Sequence, residues 1–316
     1  MALLVVTAGV AQAQEDKKER DANVKAMQAK TPADTTGKLW TKGGTLQLNM
    51  SQVSLTNWSA GGFSSVSGVG LFNGFANRKK GRHAWDNSIA LAYGLLSQEK
   101  QDPVKTDDRL ELNTKYGYEL NKAWYLAALA QFRTQFTDGK DAEGNRISDF
   151  MAPGYLVLGI GMDYKPNDHF SAFISPATAK ITFVNDQGLA DGGAFGVDPA
   201  TYDTAGNKLT NGKNSLFEFG GFVKLMYTQD LATNINFLTR ADFFSNYLKN
   251  PQNIVVNWET LFTFKVNNWF AATLSTMLIY DDKTQIMKKW EDTDLMYAGK
   301  GTQFKEAIGL GITIKL

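Results

Sequence analysis

The feature that most restricts how this chain can fold is alternation of apolar and polar residues with a period of two, sustained over unusually long runs. Between Arg109 and Leu120, one set is Leu110, Leu112, Thr114, Tyr116, Tyr118 and Leu120. The intervening set is Arg109, Glu111, Asn113, Lys115, Gly117 and Glu119. Side chains of a strand point to opposite faces in turn, whereas a helix would smear both sets around its circumference. Twelve such runs occur, at approximately 44–57, 62–78, 83–97, 107–120, 123–136, 153–165, 169–184, 215–228, 232–246, 253–266, 269–281 and 303–316. They far exceed the globular mode of about 5–6 residues. They are long enough for a tilted membrane strand, which needs roughly 9–11.

The connectors sharpen this reading. Every second one is short and rich in turn formers: Lys79 to Arg82, Asn121-Lys122, Pro166 to Asp168, Gln229 to Leu231 and Asn267-Asn268. Those between are often longer: Gln98 to Thr106, Thr137 to Ala152, Asn185 to Asn214 and Asp282 to Thr302. Trp58 to Gly61 and Tyr247 to Gln252 are short members of this second set. A secreted sandwich would not sort its loops by parity, but an outer-membrane barrel does, with tight periplasmic turns and larger outer loops. Trp85, Trp124 and Phe170 stand near short turns, and Trp258 nearer the other end, where aromatic girdles belong. The expected fold is all-β: an antiparallel up-and-down transmembrane barrel of about 12 strands.

Composition agrees by exclusion. No cysteine is present, which removes disulfides, thiolate metal sites and cysteine catalysis. With 33 bases against 32 acids, the chain has no global charge bias toward nucleic acid. The longest uncharged apolar piece of the body, Trp269 to Tyr280, is too short for a spanning helix. Residues 1–13 read as a signal peptide, with an apolar Ala2 to Val10 and a small-x-small site at Ala11-Gln12-Ala13. A flexible polar segment, 14–38, follows, and 39–316 is the barrel domain. The address is the outer membrane, with both termini periplasmic.

If the apolar set faces lipid, the polar set faces the lumen. The lumen and constriction candidates are Arg109, Glu111, Lys115, Arg133, Glu218, Lys224, Arg240, Asp242 and Glu259, joined by Asp86, Glu119, Asp163, Lys165, Lys265, Lys305 and Lys315. Setting Leu120 opposite Trp124 places Glu111 opposite Arg133, and Glu218 is expected to reach Arg240 directly or diagonally. Such pairs either brace the wall or form a charge-sorting constriction. From Gly43 to Asn77, thirty-five residues carry no charge, so the first two strands should present a smooth wall.

Catalytic motifs are thin. His83 and His169 have no zinc-protease spacing. His169-Phe170-Ser171 shares a strand face, but sits beside a short turn at the periplasmic rim. Asp138 to Asn145 misses calcium-loop spacing and reads as a hairpin tip. No enzyme activity, metal or cofactor is expected.

The strings Leu55-Thr56-Asn57-Trp58-Ser59-Ala60-Gly61-Gly62, Lys105-Thr106-Asp107-Asp108, Ser148-Asp149-Phe150-Met151-Ala152-Pro153 and Ile174-Ser175-Pro176 stand in an order that resembles an uncharacterised Bacteroidota family, a domain of unknown function. The resemblance spans roughly Leu39 to Leu316. It implies an outer-membrane barrel and brings no site, substrate or activity. The Ile312 to Leu316 end departs from the aromatic terminus common in such barrels.

The function expected first is a pore for small polar solutes. The alternative is a structural or envelope-assembly barrel, closed by its own charge network and presenting loops to partners. An outer-membrane lipid hydrolase ranks third. Partners are membrane lipids, small polar solutes and envelope proteins reached through outer loops. The longest connector, Asn185 to Asn214, carries acids and glycines around an apolar first half. Its lid candidates are Asp186, Gly188, Asp191 and Phe195, and its acids are expected to meet Arg133 and Arg240 at the barrel mouth.

Overall fold

A computed structural model describes residues 39–54, 64–99, 101–141, 144–267, 269–289 and 296–316. The proposed signal segment 1–13, the polar segment 14–38 and the Leu55 to Gly62 string lie outside the described residues. In chain order the strands are β1 (Trp40–Val53), β2 (Ser65–Lys80), β3 (His83–Gln98), β4 (Val104–Glu119), β5 (Trp124–Thr134), β6 (Gly139–Lys140), β7 (Arg146–Ser148), β8 (Gly154–Tyr164) and β9 (Phe170–Phe183). They continue as β10 (Thr201–Tyr202), β11 (Lys208–Thr210), β12 (Ser215–Ala232), β13 (Ile235–Asn246), β14 (Ile254–Lys265), β15 (Phe270–Lys289) and β16 (Met296–Lys315).

Twelve of these form one closed antiparallel barrel in the order β1-β16-β15-β14-β13-β12-β9-β8-β5-β4-β3-β2. Closure is made by β1 and β16, with Thr45 opposite Lys315 and Asn49 opposite Gly311. The two remaining pairs, β6–β7 and β10–β11, are small hairpins on two long connectors. Their turns lie around Asp141 and Asp203, the first of which the sequence marks as a hairpin tip. Closure leaves the sheet without an open edge, which is how a barrel pairs its backbone in lipid without water.

The faces sort as alternation requires. Leu112, Leu126, Ile160, Ile174, Phe217, Ile308 and Leu310 point outward and stay exposed, a pattern stable only against lipid. Outward polar groups mostly satisfy one another: Trp85 Nε1 donates to Thr114 Oγ1, and Thr114 Oγ1 to Asn87 Oδ1, each at 2.8 Å. Glu306 on β16, opposite Thr276, departs from the apolar pattern. Aromatics gather near the short turns, with Trp40 at 5.7 Å from Trp85, Trp124 at 4.5 Å from Tyr164, and Phe237 at 4.9 Å from Phe262. Trp85 and the outward Tyr93 near the other end of β3 are eight residues apart, about 26 Å along the strand. At a tilt of about 40° this is roughly 20 Å of height, close to the apolar band of a spanning barrel. Among the described residues no helix is long and apolar enough to cross a membrane. The chain is a transmembrane β-barrel.

Two local features depart from simple alternation. The Asp282 to Thr302 connector is largely strand, because β15 runs on to Lys289 and β16 begins at Met296. A hairpin can continue beyond the bilayer when its own ladder pairs the backbone, as Gln285–Lys300 to Lys289–Met296 do here. In β9 a bulge around Pro176 shifts the register against both neighbours. Proline lacks the donor a ladder needs, so it falls at such irregularities. The bulge exchanges the inward set from Ser171, Phe173 and Ser175 to Thr178, Lys180 and Thr182, all buried. Gly161 lies against it, and a Cβ there would collide with the Ile174 carbonyl.

Candidate functional site

Charged side chains of the lumen form three tiers. The central tier joins nearly opposite walls. Arg240 of β13 reaches Glu111 of β4 with a two-pronged contact at 2.8 and 3.1 Å. It also meets Glu259 of β14 at 3.0 Å. Arg109 of β4 crosses to both oxygens of Glu259 at 3.2 Å. Glu111 is fully buried and also accepts from Asn113 at 3.0 Å and Gln131 at 3.2 Å. Arg133 lies 3.5 Å from Glu111 and 3.8 Å from Asp242. A buried carboxylate is tolerable only with this density of donors.

Toward the short turns, Lys165 sits 2.7 Å from Asp86 and 3.4 Å from Asp163, while Lys115 meets Asp163 at 2.7 Å. Toward the long loops, Glu218 is held by Lys283 at 2.6 Å and Lys180 at 3.4 Å, with Asp281 3.6 Å from both lysines. The nine constriction candidates therefore fall into all three tiers, and the pairing of Glu111 with Arg133 is the register observed. The expected Glu218–Arg240 contact does not occur. Arg240 stands opposite Met226 and Glu259, leaving Glu218 eight residues along β12 from Met226, nearer the loops and opposite Lys180. Alternation alone leaves out Lys180, Asp281 and Lys283. Pro176 inside a strand run was the available signal for Lys180, since a bulge swaps the faces. Asp281 and Lys283 lie at and beyond the end of the alternating run.

The two sides of the lumen differ. Between β5, β8, β9, β12 and β13, Ala127, Leu129, Phe173, Phe222 and Phe244 make a dry core, with Val157 and Val255 against it. Along β1, β2 and β16 many inward residues are small and uncharged, such as Thr45, Gln47, Asn49, Asn73, Ala307 and Gly309, with Val69, Leu71 and the buried Phe75 on β2 and Lys305 on β16 among them. Ala307 is exposed although it points inward, and Lys305 keeps 46% side-chain exposure while bridging β16 to Asp107 of β4 at 3.1 Å. A concavity of about 570 Å³ is not this space. It is lined mostly by outward residues such as Phe72, Gly74, Ile89, Leu112 and Phe132, and faces the acyl chains.

The long connector is folded. Helix α1 (Gln187–Asp191) is capped by Asp186, whose carboxylate accepts from the Leu189 amide. Gly188 lies within it. Ala190 and Val197 are buried with Ala152 and Val184, and Leu189, Phe195 and the inward-pointing Leu216 pack on this cluster. Phe195 holds a left-handed backbone, φ 57°. Gly196 lies directly against Lys283 of the upper tier. The acids of this loop do not meet Arg133 or Arg240, as charge alone suggests. They pair locally, Asp186 with Arg146 at 2.8 Å, Asp198 with Lys213 at 2.7 Å, and Asp191 with Lys208. The hydrogen bond from Lys208, then the Gly212 amide and Gln187, lower the Asp191 carboxyl to about 2. His169 Nδ1 lies 3.0 Å from the Thr228 carbonyl oxygen, beside the short turn.

Residues 50–139 match the model of a family described as a protein of unknown function (DUF3078). No curated protein matches the chain. Among solved structures, the COG4313 outer membrane channel of Pseudomonas putida F1 is similar at 11% identity and TM-score 0.40, covering 90% of this chain and 100% of that one. The NanC porin is similar at 7% identity and TM-score 0.36, over 87% and 100% of the two chains. The translocator domain of the autotransporter NalP from Neisseria meningitidis follows at 12% identity and TM-score 0.32, over 98% and 96%. The assignment as a membrane barrel rests on the chain's own closed sheet and lipid-facing surface.

Proposed function

We propose that this barrel is an outer-membrane pore for small polar solutes, with its passage along the β16–β1–β2 wall. The observation that carries the proposal is the unequal filling of the lumen. One side is packed with buried aromatics, while inward Ala307 and Lys305 on the other retain solvent-accessible surface. Small hydroxyl and amide side chains there offer weak, exchangeable hydrogen bonds, which suits entry and release. Arg109 and Glu259, 26% and 19% exposed, form the charged edge of this passage. The loop carrying Asp186, Gly188, Asp191 and Phe195 acts as a lid resting on Leu216 and Lys283. Short turns and both termini face the periplasm, following an N-terminal signal peptide. Recording single-channel current from purified protein in a planar bilayer is the test. Discrete conductance steps support the pore; silence from correctly folded protein, with and without residues 188–197, overturns it.

A second reading has its own support. The Arg240–Glu111 and Arg109–Glu259 contacts tie opposite walls together, as a purely structural barrel closed by its charges would require. Silent but assembled protein would make that reading the better one.

A further inference from the structure

Below the central tier lies a partly enclosed cavity of about 80 Å³, lined by Lys115, Lys165, Lys224 and Arg240 among neutral and acidic neighbours. We propose that this cavity binds one small monovalent anion, of halide to nitrate size, held principally by Lys224.

Three observations lead there. The first is charge balance. Among the described residues, Lys115 and Lys165 face Asp86 and Asp163, two against two. In the central tier four bases, Arg109, Arg133, Lys224 and Arg240, face three acids, Glu111, Asp242 and Glu259. One positive charge is left over, in a region of low dielectric where an uncompensated charge is costly.

The second is where that charge resides. Arg240 has close two-pronged contacts, and Lys115 and Lys165 each have a carboxylate at 2.7 Å. Lys224 has only long ones, 3.5 Å to the Gln131 amide oxygen and 3.6 Å to Asp242 Oδ1. An ammonium–carboxylate hydrogen bond is ordinarily about 2.7–2.9 Å. Asp242 is meanwhile shared with Arg133 at 3.8 Å. Lys224 is thus a largely buried ammonium whose partners stand too far away, and it borders the cavity.

The third is room. A single water needs roughly 10–15 Å³ of this kind of space, so about 80 Å³ holds an anion together with a water. Asn113 lines the cavity, and its buried Oδ1, without a donor among the described residues, is a group that such a water would satisfy. Phe173 and Leu129 close the cavity on the apolar side and exclude larger solutes. This site is independent of whether solute crosses the barrel.

The test is anomalous diffraction from crystals of the detergent-purified barrel soaked in bromide, beside thermal unfolding followed against bromide at constant ionic strength with gluconate. The expected result is a bromide peak in the cavity within contact of Lys224 Nζ, and an unfolding midpoint that rises with bromide and not with gluconate. Lys224→Met should remove the peak and weaken the bromide response roughly tenfold or more, while Lys224→Arg retains it. Ser171→Leu fills the cavity without touching a charge and should also abolish binding, which keeps the test decisive if Lys224→Met fails to assemble. An empty cavity at saturating bromide, or a peak that survives both Lys224→Met and Ser171→Leu, overturns the proposal.

Discussion

The two sides of this lumen are built from the same alternating strands and reach opposite results. Between β5 and β13, inward positions carry Leu129, Phe173, Phe222 and Phe244, and the side chains meet in a dry core. Between β15 and β3, most inward positions carry Ser, Thr, Asn, Ala and Gly, with the larger Val69, Leu71, Phe75, Met277, Ile279 and Lys305 among them. The cross-wall ion pairs stand between the two regions. A twelve-stranded barrel is wider than an eight-stranded one, which side chains can just fill, so residue size decides how much of the interior closes. Packing on one side and vacancy on the other is therefore written in side-chain volume rather than in backbone geometry.

The largest effect expected is from breaking the boundary between the regions. Glu111→Gln leaves Arg240 and Arg133 around a neutral group at a fully buried position, and should cost about 3–5 kcal/mol or prevent assembly. Heat-dependent gel mobility reads this directly. The double variant Glu111→Met with Arg240→Met should recover much of the loss, because the pair is then removed rather than orphaned. Recovery that fails would show that the ion pairs do more than close the boundary.

Next comes a comparison of volume changes on the two sides. Phe173→Ala opens a cavity in the dry core and should destabilise by about 3–5 kcal/mol. Ala307→Leu, pointing into unfilled space, should change stability by no more than about 0.5 kcal/mol. It should nevertheless lower conductance in a planar bilayer if solute passes along that wall. Equal destabilisation by the two variants would erase the distinction between the sides.

The smallest effect concerns the loop above the mouth. Its Asp191 carboxyl is held at about 2 against an ordinary 3.8, chiefly by the Lys208 hydrogen bond. A lowered folded-state value means the stabilisation is complete above about pH 4 and is lost as pH falls toward 2. Limited proteolysis between residues 185 and 214 with an acid-active protease should accelerate over that interval, with the barrel resistant throughout. Asp191→Asn should give the acid-like cleavage rate already at neutral pH. A rate that does not change with pH in the wild type would show that the loop is held by its Ala190–Val197 packing alone.

Strand number, strand faces and the Glu111–Arg133 register all followed from alternation and one turn, since a period of two and a tight hairpin leave a single arrangement. The same reasoning placed Glu218 beside Arg240 and failed, because register across a hairpin with a less defined turn can slip by several residues while preserving the faces. It also passed over Lys180, whose face is reversed by the Pro176 bulge. The charged candidates were found as a set because ionisable residues at inward positions stand out against a lipid-facing pattern. Their partners could not be found, since Arg109 and Glu259 are 150 residues apart and meet only when the sheet closes.

Sequence by itself determined the wall: twelve long amphipathic strands, their connectors sorted by length, and which residues touch lipid. Each of these depends on neighbours within one strand or one hairpin. Only the tertiary structure decided the interior, where the curvature of the closed sheet selects which inward side chains reach one another. That closure set Arg240 on Glu111, left Lys224 with distant partners beside a cavity, and kept the small-residue side unfilled. Contacts across a barrel depend on circumference and stagger, and no local pattern of residues encodes those distances.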